Sequence, residues 1–475
     1  MTPATGRTDA WAGRRVCVAG IGVSGAAAAR ALLRLGAKVT VVDARDRHEE
    51  RAAAAPLRDL GAVVRLGDGD SLPDGADSVV TSPGWRPTAP LLSAAVTAGL
   101  PVIGEVELAW RLRGTDAAPW LAVTGTNGKT TTVEMLASIL RAAGHHTVAA
   151  GNVGAPVVDA VLAEAAYDVL AVELSSFQLH WSPSVRPLAG VVLNVAPDHL
   201  DWHGSMEAYA ADKARIYHAD ATNVYNADDP WSVRLATSFP EVVGFTLGGP
   251  EVGCLGVEDG ALVDRAFAAS TGKSRVDDRV RLAGVRDVRP RGPHNIADAL
   301  AAAALARAYG VAAGAVRDGL QAFEPGAHRI AEVSTAAGVR YVDDSKATNP
   351  HAAAASLAAY PSVVWIAGGQ LKGADIDGLV RDVAPRLRAA VLLGVDREQI
   401  RKALARHASN VPVVEVSATD TGAMACVVRE AARLARPGDT VLLAPSGASF
   451  DMFASYAARG DAFAAAVRGL TEAER

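Results

Sequence analysis

The glycine-rich segment 124–131 constrains the fold of this chain more than any other feature of its sequence. It reads Thr-Gly-Thr-Asn-Gly-Lys-Thr-Thr, follows the apolar run 120–123 and precedes a predicted helix that begins near Thr130. Such a loop surrounds phosphates with backbone amides, while a lysine reaches the terminal phosphates and a hydroxyl faces Mg²⁺. The strict P-loop pattern fails, because its first glycine would fall at Val123. The remaining parts still predict a strand–loop–helix unit that binds phosphates, with Lys129 as the cationic group.

A second glycine loop, Gly-Ile-Gly-Val-Ser-Gly at 20–25, lies near the N-terminus. It follows the apolar run 15–19, opens a predicted helix over 25–35, and is followed by Asp43 at the end of the next strand. Both the spacing and the context match the dinucleotide-binding fingerprint. The pattern favours a nucleotide that contains a diphosphate but leaves open which one, and NAD is the simplest interpretation. An acidic residue at position 43 fits the ribose of either kind of ligand.

Short apolar strands alternate with helices along most of the chain, which predicts parallel sheets and an α/β fold. The length of 475 residues suggests two to four domains, and half of the residues are hydrophobic, as in globular proteins. We predict three domains. An N-terminal Rossmann-like nucleotide domain spans residues 1–104, a central P-loop-type ATPase domain spans 105–323, and a C-terminal Rossmann-like domain spans 324–475.

Individual elements follow from the same periodicity. The predicted strands are residues 15–19, 38–42, 63–66, 78–81, 120–124, 169–174, 190–195, 339–343, 362–367, 389–393, 413–416 and 440–444. Helices are predicted over 205–219 and over the Ala/Leu-rich segment 295–309, which should be buried on one side. From about 222 to 291 the pattern changes to short β-like pieces, which predicts either an elaborated sheet edge or a small subsheet inside the central domain.

Composition excludes several classes of protein. The net charge of −5 argues against a dedicated nucleic-acid binder, which is usually basic. The three cysteines, Cys17, Cys254 and Cys426, form no CxxC pair, so they indicate neither a disulfide framework nor a zinc site. Residues 1–15 contain no apolar signal-peptide core, and no apolar run approaches the ~20 residues that span a bilayer. We therefore expect a soluble, cytoplasmic protein. Separately from composition, we expect a monomer whose partners are small-molecule substrates.

The phosphate loop resembles the ATP loop of the Mur ligases, the ADP-forming amino-acid ligases of peptidoglycan synthesis; folylpolyglutamate synthases are relatives with a similar loop. The resemblance extends over nearly the whole chain. Further segments that resemble the family, in the family's order, are Gly-Asn-Val-Gly at 151–154, Val-Glu-Leu-Ser-Ser-Phe-Gln at 172–178, Asn-Val-Ala-Pro-Asp-His-Leu-Asp at 194–201, Gly-Pro-His-Asn-Ile at 292–296 and His-Arg at 328–329.

Three C-terminal segments resemble the family members that add D-glutamate to UDP-N-acetylmuramoyl-L-alanine. They read Asp-Asp-Ser-Lys-Ala-Thr-Asn at 343–349, Gly-Gly-Gln-Leu-Lys-Gly-Ala-Asp at 368–375 and Pro-Ser-Gly-Ala-Ser-Phe-Asp at 445–451. The N-terminal glycine loop and Ser-Pro-Gly at 82–84 also fit these members. The resemblance implies an ATP-dependent reaction through an acyl phosphate, which releases ADP and phosphate.

The resemblance also implies which residues bind ATP and metal. The expected ATP contacts are Gly125, Thr126, Asn127, Gly128, Lys129, Thr130 and Thr131, with Asn295 at adenine and Arg329 and Asp344 on the phosphate–ribose side. The expected Mg²⁺ ligands, for two ions, are Thr130, Glu173, His199 and a carbamylated Lys213. An unmodified lysine is cationic at neutral pH and would be repelled by Mg²⁺, whereas a carbamate would act as a carboxylate. Lys129, His199 and Lys213 are the expected catalytic residues.

Substrate contacts are expected at the edges of the first and third domains. By resemblance, the uridine nucleotide meets Val23, Ser24, Asp43 and Arg45, and Asn152 meets the muramoyl part. In the third domain the expected amino-acid contacts are Lys346, Thr348, Lys372, Ser449 and Phe450. These residues follow predicted strands whose carboxyl ends converge at one sheet edge. Lysines and hydroxyls there suit the two carboxylates of glutamate, while the D-configuration is implied by the resemblance alone.

Three other functions are compatible with parts of the sequence. The first is a related ligase, either another Mur ligase or a folylpolyglutamate synthase, which the acceptor chemistry would distinguish. The second is an NAD-dependent dehydrogenase built on the first glycine loop, which would leave the second loop, Glu173 and His199 unexplained. The third is a non-enzymatic regulator that binds ATP without amino-acid-dependent turnover.

Overall fold

A computed structural model describes residues 10–267, 279–417 and 422–473. The chain forms two compact units. The first comprises Met1–Val195, His199–Val285 and Asp298–Ala322, and the second comprises Ala196–Asp198, Arg286–Ala297 and Phe323–Arg475. Residues 1–9, which contribute to the prediction about a signal peptide, lie outside the described residues. Among the described helices, none combines the length and the apolar character that a membrane crossing requires.

The first sheet is parallel and has the order β3-β2-β1-β4-β5. Its strands are β1 (Arg15–Ala19), β2 (Lys38–Asp43), β3 (Val63–Leu66), β4 (Ser78–Thr81) and β5 (Val102–Gly104). Its helices are α1 (Val23–Arg34), α2 (His48–Asp59) and α3 (Pro90–Thr97). The strand order reverses between β1 and β4, and open α/β sheets bind ligands at such a switch point. The N-terminal glycine loop follows β1 and therefore lies at this crevice.

The central sheet has nine strands in the order β14-β13-β12-β11-β10-β9-β6-β8-β7. They are β6 (Trp120–Thr124), β7 (Thr147–Gly151), β8 (Val169–Glu173), β9 (Ala189–Val192), β10 (Thr222–Asn226), β11 (Val242–Phe245), β12 (Cys254–Glu258), β13 (Ala261–Asp264) and β14 (Val280–Gly284). Strands β12 to β14 pair antiparallel, which confirms the elaborated edge. Because β6 lies between β8 and β9, the carboxyl ends of these three parallel strands are neighbours.

Nine helices accompany the central sheet in the described residues, if one short 3₁₀ turn at Val285–Asp287 is set aside. They are α4 (Glu105–Leu112), α5 (Lys129–Ala142), α6 (Val157–Val161), α7 (Ser176–His180), α8 (Leu200–His203), α9 (Met206–Ala214), α10 (Pro230–Ala236), α11 (Pro293–Ala308) and α12 (Ala313–Ala322). Buried residues from both sheets and from a helix between them in the chain, such as Val18 of β1, Leu108 of α4 and Val172 of β8, form one apolar core.

The third sheet has the order β15-β16-β20-β17-β18-β19. Its strands are β15 (Ala331–Ala336), β16 (Val339–Asp343), β17 (Val363–Gly368), β18 (Leu387–Leu393), β19 (Val413–Glu415) and β20 (Thr440–Ser446). Its helices are α13 (Pro350–Ala358), α14 (Asp377–Val383), α15 (Arg397–His407), α16 (Ala423–Leu434) and α17 (Tyr456–Ala473), with a 3₁₀ turn at Ala384–Arg386. Strand β20 lies between β16 and β17, so the loops that follow these three strands are adjacent.

Two predicted elements are shorter than predicted by two or more residues. The helix predicted over 205–219 is α9, which begins after Ser205 because the Ser205 hydroxyl accepts a hydrogen bond from the amide of Ala208. It ends at Ala214, five residues before the predicted end, and beyond it the amides of Ile216 and Tyr217 donate to carbonyls only three residues back. The strand predicted over 190–195 is β9, which ends at Val192. Beyond it the chain leaves the sheet and turns toward the phosphate loop, where Asn194 makes hydrogen bonds.

Candidate active site

The phosphate loop joins β6 to α5 and is held in place by Asn194. The Asn194 side chain accepts a hydrogen bond from the Asn127 amide at 3.0 Å and donates one to the Asn127 carbonyl at 3.2 Å. The backbone of Gly128 has a positive φ of 83°, and a Cβ at this position would lie 2.3 Å from Asp298 Oδ1. Only glycine fits there. Asn194 was not among the predicted site residues, although it opens the motif at 194–201.

Two lysines meet at the carbonyl oxygen of Gly125. Lys129 Nζ donates to this oxygen at 3.0 Å and to the Thr126 carbonyl at 2.9 Å, and Lys213 Nζ donates to Gly125 at 2.8 Å. Lys213 is 1% exposed, and its ammonium lies 4.3 Å from the ring centroid of Tyr209. The structure therefore brings Lys213 to the phosphate loop, where an ordinary solvated helix lysine would not lie.

Glu173 ends β8 beside this loop, and its side chain is 1% exposed. Its Oε1 accepts a hydrogen bond from Asn152 Nδ2 at 2.7 Å, whereas Oε2 is buried without a hydrogen-bond partner. A buried carboxylate oxygen without a partner is costly. A divalent cation would satisfy it, since carboxylate oxygens are preferred ligands of Mg²⁺. Asn152, predicted at the muramoyl group, thus contacts a candidate metal ligand.

The other predicted metal ligands come from the neighbouring segments. Thr130 is buried in the first turn of α5, and His199 precedes α8 with a positive φ of 53°. The His199 ring centroid lies 4.8 Å from that of Phe177. In the described part of the chain, no group of three or more His, Cys, Asp or Glu side chains is arranged to hold a metal ion.

A charged network behind these residues was not predicted. Asp212 lies next to Lys213 in α9, and its carboxylate is within hydrogen-bond distance of His180 Nδ1, at 2.9 Å, and His203 Nδ1, at 3.0 Å. Arg215 Nε lies 3.0 Å from the other oxygen. Burial raises the pKa of Asp212, but the bonds from both histidines outweigh it and lower the pKa to about 2. The motif at 194–201 ends two residues before His203, so the sequence did not indicate that His203 belongs to the site.

The predicted uridine contacts gather at the carboxyl edge of the first sheet. Val23 and Ser24 open α1, with Val23 75% exposed. The buried Asp43 carboxylate accepts hydrogen bonds from the amides of Ile21 and Arg45, both at 2.9 Å, and pairs with the Arg45 guanidinium. Burial raises the pKa of Asp43, but the hydrogen bonds from Arg45 and Ile21 outweigh it and keep the pKa below its usual value. Asp43 therefore fixes the glycine loop itself.

That glycine loop is tight enough to require glycine. A Cβ on Gly25 would lie 1.9 Å from the carbonyl oxygen of Gly20, and Gly20 has a positive φ of 96°. Close approach of this kind lets a diphosphate reach the backbone amides at the helix N-terminus. Ser82, which follows β4 across the crevice, donates its hydroxyl to the Gly20 carbonyl at 3.4 Å.

The predicted amino-acid contacts lie on the three adjacent loops of the third sheet. Lys372 has a positive φ of 52°, and its Nζ lies 5.9 Å from the ring centroid of Phe450. Phe450 is 68% exposed, whereas its neighbour Ser449 is buried. Lys346 Nζ lies 4.0 Å from the ring centroid of Tyr456. The Thr348 amide donates to the Lys346 carbonyl at 2.8 Å, which closes the first of these loops into a turn.

Arg459 connects two of these loops and was missed by sequence reasoning. The guanidinium is buried in α17 and donates to Ser345 Oγ at 2.9 Å, to the Ser345 carbonyl at 2.9 Å and to the Gly447 carbonyl at 3.0 Å. Burial lowers its pKa to about 10, so it stays protonated at neutral pH. It lies in an alanine-rich segment without a motif, and its partner Ser345 is 114 positions away in the chain.

The predicted adenine and ribose contacts all lie in the second unit. Asn295 is buried in the first turn of α11, and its Nδ2 lies 3.0 Å from His294 Nε2. The buried Asp344 carboxylate accepts hydrogen bonds from the Ser356 hydroxyl and, at 3.3 Å, from the Ile330 amide. Burial raises the pKa of Asp344 to about 6. Arg329 precedes Ile330, so the chain places it beside this carboxylate.

Sequence comparisons identify the family to which the chain belongs. Family models match the chain in three stretches: "Mur ligase MurD-like, N-terminal domain" over 14–104, "Mur ligase middle domain" over 123–306 and "Mur ligase, glutamate ligase domain" over 328–447. UDP-N-acetylmuramoylalanine–D-glutamate ligase of Streptomyces avermitilis is 62% identical over 466 residues, which cover 97% of this chain and 99% of that protein. The chain belongs to the Mur ligase family. The protein of the same name from Thermobifida fusca is 61% identical and covers 96% of this Mur ligase.

Solved structures share the fold of this Mur ligase. UDP-N-acetylmuramate-alanine ligase from Thermotoga maritima has a TM-score of 0.58 at 19% identity and covers 96% of this chain and 99% of that one. A pseudomurein peptide ligase type C from Methanothermus fervidus has a TM-score of 0.57 at 19% identity, with 97% and 100% covered. The three Mur ligase domains confirm the predicted three-domain α/β fold, while the boundaries at 104 and 323 stay predictions.

Proposed function

We propose that this Mur ligase joins D-glutamate to UDP-N-acetylmuramoyl-L-alanine in peptidoglycan precursor synthesis and converts ATP to ADP and phosphate. The observation that carries the proposal is the similarity over nearly the whole length to relatives that bear this activity in their names. The site supports it in two places. The phosphate loop brings Lys129 and Lys213 together, and the third sheet presents Lys372 near the ring of Phe450, whose chain neighbour Ser449 is buried.

The chemistry requires positive charge at the phosphate loop. A carboxylate is a poor acylating agent, so an oxygen of the acceptor carboxylate first attacks the γ-phosphorus of ATP, and the bond to ADP breaks. The amine of D-glutamate then attacks the carbonyl carbon of the acyl phosphate, inorganic phosphate leaves, and the amine loses a proton. Lys129 stabilises the negative charge that develops on the transferred phosphoryl group. Bound Mg²⁺ would supply further positive charge to the phosphates.

The proposed Mg²⁺ ligands are Thr130, Glu173, His199 and Lys213, the last as a carbamate, around two ions. The buried Glu173 Oε2 without a hydrogen-bond partner supports the metal assignment. The burial of Lys213 supports the carbamate, because burial disfavours the cationic form of an amine and carbon dioxide reacts only with the neutral one. A carbamylated Lys213 would present oxygen atoms near the Gly125 carbonyl, where an ammonium now donates.

The decisive experiment is ADP release measured over a matrix of UDP-muramoyl acceptors and amino acids. We expect turnover only with UDP-N-acetylmuramoyl-L-alanine and D-glutamate, and Lys129→Ala should lower it by at least ~10²-fold. Equal turnover with L-lysine would contradict the amino-acid assignment, and turnover with a folate acceptor would favour the folylpolyglutamate synthase alternative. Melting curves with UDP and with NAD test the dehydrogenase alternative, which requires NAD alone to stabilise the protein.

The monomeric state and the cytoplasmic location stay predictions from the sequence. Sedimentation of the purified protein tests the first, and fractionation of producing cells tests the second. Either result would leave the ligase proposal unchanged, since no residue of the proposed reaction depends on it.

A further inference from the structure

A single buried imidazole connects three segments of the first unit. The side chain of His203 is 0% exposed, and its two ring nitrogens face different elements. Nδ1 lies 3.0 Å from Asp212 Oδ2 in α9, and Nε2 lies 3.0 Å from Ser176 Oγ at the start of α7. His203 itself is the last residue of α8. Both nitrogens are therefore within hydrogen-bond distance of groups on the two neighbouring helices.

Each of these three segments carries one of the proposed metal ligands. His199 immediately precedes α8, Lys213 follows Asp212 in α9, and Glu173 ends β8 three residues before Ser176. Each ligand lies within four residues of His203 or of one of its two hydrogen-bond partners, Ser176 and Asp212. A shift of His203 would therefore be transmitted to all three ligands. His203 joins the segment of His199 to the segments of Glu173 and Lys213 through its two ring nitrogens.

The ring of Phe177 adds an apolar contact to this connection. It stacks on the imidazole of His203 with an interplanar angle of 4° and a centroid distance of 5.3 Å. On another side, the same ring lies 4.8 Å from the ring of His199. Phe177 therefore contacts both ends of the turn 199–203. The backbone of His199 is in the left-handed region, a conformation that persists only when its surroundings enforce it.

We propose that His203 is a positioning residue of the metal centre. Its bonds to Asp212 and Ser176 hold the segments that carry Glu173, His199 and Lys213 in the relative positions that Mg²⁺ requires, and His203 touches neither metal nor substrate. The inference rests on the proposed function and deepens it. Groups that orient metal ligands from outside the coordination shell typically change metal affinity or activity by about 10–100-fold when they are removed.

His180 offers a matched control because it bonds to the same carboxylate. Its Nδ1 lies 2.9 Å from Asp212 Oδ2, but its side chain is 27% exposed. Replacing either histidine leaves Asp212 with the other histidine and with Arg215. Each substitution therefore removes one histidine from Asp212, and only the one at His203 also removes the link to Ser176.

The test compares His203→Phe, which keeps a ring against Phe177 but cannot hydrogen-bond, with His203→Gln and with His180→Gln in the full chain. Mn²⁺ serves as the probe, and its affinity in the presence of a non-hydrolysable ATP analogue is measured by electron paramagnetic resonance. We expect His203→Phe to weaken Mn²⁺ binding and to lower kcat by about tenfold or more. His203→Gln should recover part of both losses, and His180→Gln should resemble the unmodified protein.

The remaining readouts separate positioning from folding. The KM for D-glutamate and the UDP-induced rise in melting temperature should be unchanged in His203→Phe, because their sites lie on other elements. Unaltered Mn²⁺ affinity in His203→Phe would overturn the inference, and so would loss of UDP binding in both His203 variants, since His203 would then support the whole unit. The proposed function can fail while the inference about His203 holds. That would be the result if the unmodified protein showed no turnover in the acceptor matrix but the His203 substitutions changed Mn²⁺ affinity as expected.

Discussion

Lys213 is the residue whose chemical state most affects the proposed mechanism. If its carbamate acts as an anion near the phosphate loop, Lys213→Ala should lose most activity because the metal loses a ligand. Short carboxylic acids such as formate or acetate should restore part of that activity by occupying the space of the carbamate. ADP release with and without added acid measures the effect. Lys402→Ala, at an exposed lysine of α15, is the control and should be unaffected by the acids.

Lys372 is the residue on which the glutamate assignment depends. Its ammonium lies beside Phe450 at the edge of the third sheet and can bind a carboxylate by a charge-assisted hydrogen bond. Lys372→Ala should therefore raise the KM for D-glutamate more than the KM for ATP. Steady-state kinetics with each substrate varied in turn gives both values. An unchanged KM for D-glutamate would remove Lys372 from the pocket and leave the ligase proposal intact.

Sequence reasoning finds residues whose function is encoded by their immediate neighbours. Lys129 lies inside a glycine motif, and Glu173 ends an apolar strand within a segment that resembles the family, so both could be proposed as site residues from the local sequence. Arg459 and His203 have no such local signal, because their partners are distant in sequence: Ser345 is 114 positions from Arg459, and Ser176 is 27 positions from His203. Their roles follow from which elements the fold brings together, and the alternation of strands and helices leaves that open.

The bounds of strands were predicted correctly where an apolar run ends sharply at polar residues. The bounds of β1, β3, β4, β6 and β16 match the predicted ones. The strands β5, β7 and β15 were not predicted, and each has few fully buried residues to mark it. Predicted ends failed at β9, beyond which the Asn194 side chain makes hydrogen bonds with the phosphate loop, and at α9, after which the backbone tightens into hydrogen bonds that span three residues.

Glu105, the first residue of α4, makes the stability of the first unit dependent on pH. Its buried carboxyl accepts a hydrogen bond from the Val158 amide at 2.7 Å, at the start of α6. Burial raises its pKa from 4.5 to about 7, so the folded state holds this proton more tightly than the unfolded state does. The stabilisation from the protonated carboxyl is complete below pH 4.5 and is lost as the pH rises through about 7.

Glu105→Gln keeps the acceptor oxygen and cannot ionise. We expect the variant to gain stability relative to the unmodified protein as the pH rises from 4.5 to 8, by up to about 3 kcal/mol, which is the equivalent of the pKa shift. Melting temperatures measured across this range show the difference. Glu398→Gln, at an exposed carboxylate of α15, should show no comparable trend. A difference between Glu105→Gln and the unmodified protein that stays constant with pH would contradict the raised pKa.

For the whole molecule, the sequence predicted three α/β domains but could not predict strand order. In the third sheet β20 is inserted between β16 and β17, although it is the last strand in the chain. This order makes three distant loops neighbours and assembles the proposed amino-acid pocket. In the central sheet the insertion of β6 between β8 and β9 does the same for the phosphate loop. Strand order depends on how the helices and sheets pack, which local periodicity does not encode.

The proposed binding residues belong to both compact units, and we expect full turnover only when ATP, the acceptor and D-glutamate are all present. The phosphate loop and the proposed acceptor contacts lie in the first unit, whereas Lys346, Lys372 and Ser449 lie in the second. ATP alone should release no ADP, because no acceptor carboxylate is present to attack the γ-phosphorus. ATP with the acceptor should release ADP slowly at most, because the acyl phosphate has no amine to react with. Adding D-glutamate should bring ADP release to its full rate. A coupled assay that adds the three substrates one at a time measures each step, and rapid ADP release with ATP alone would contradict a ligase that acts through an acyl phosphate.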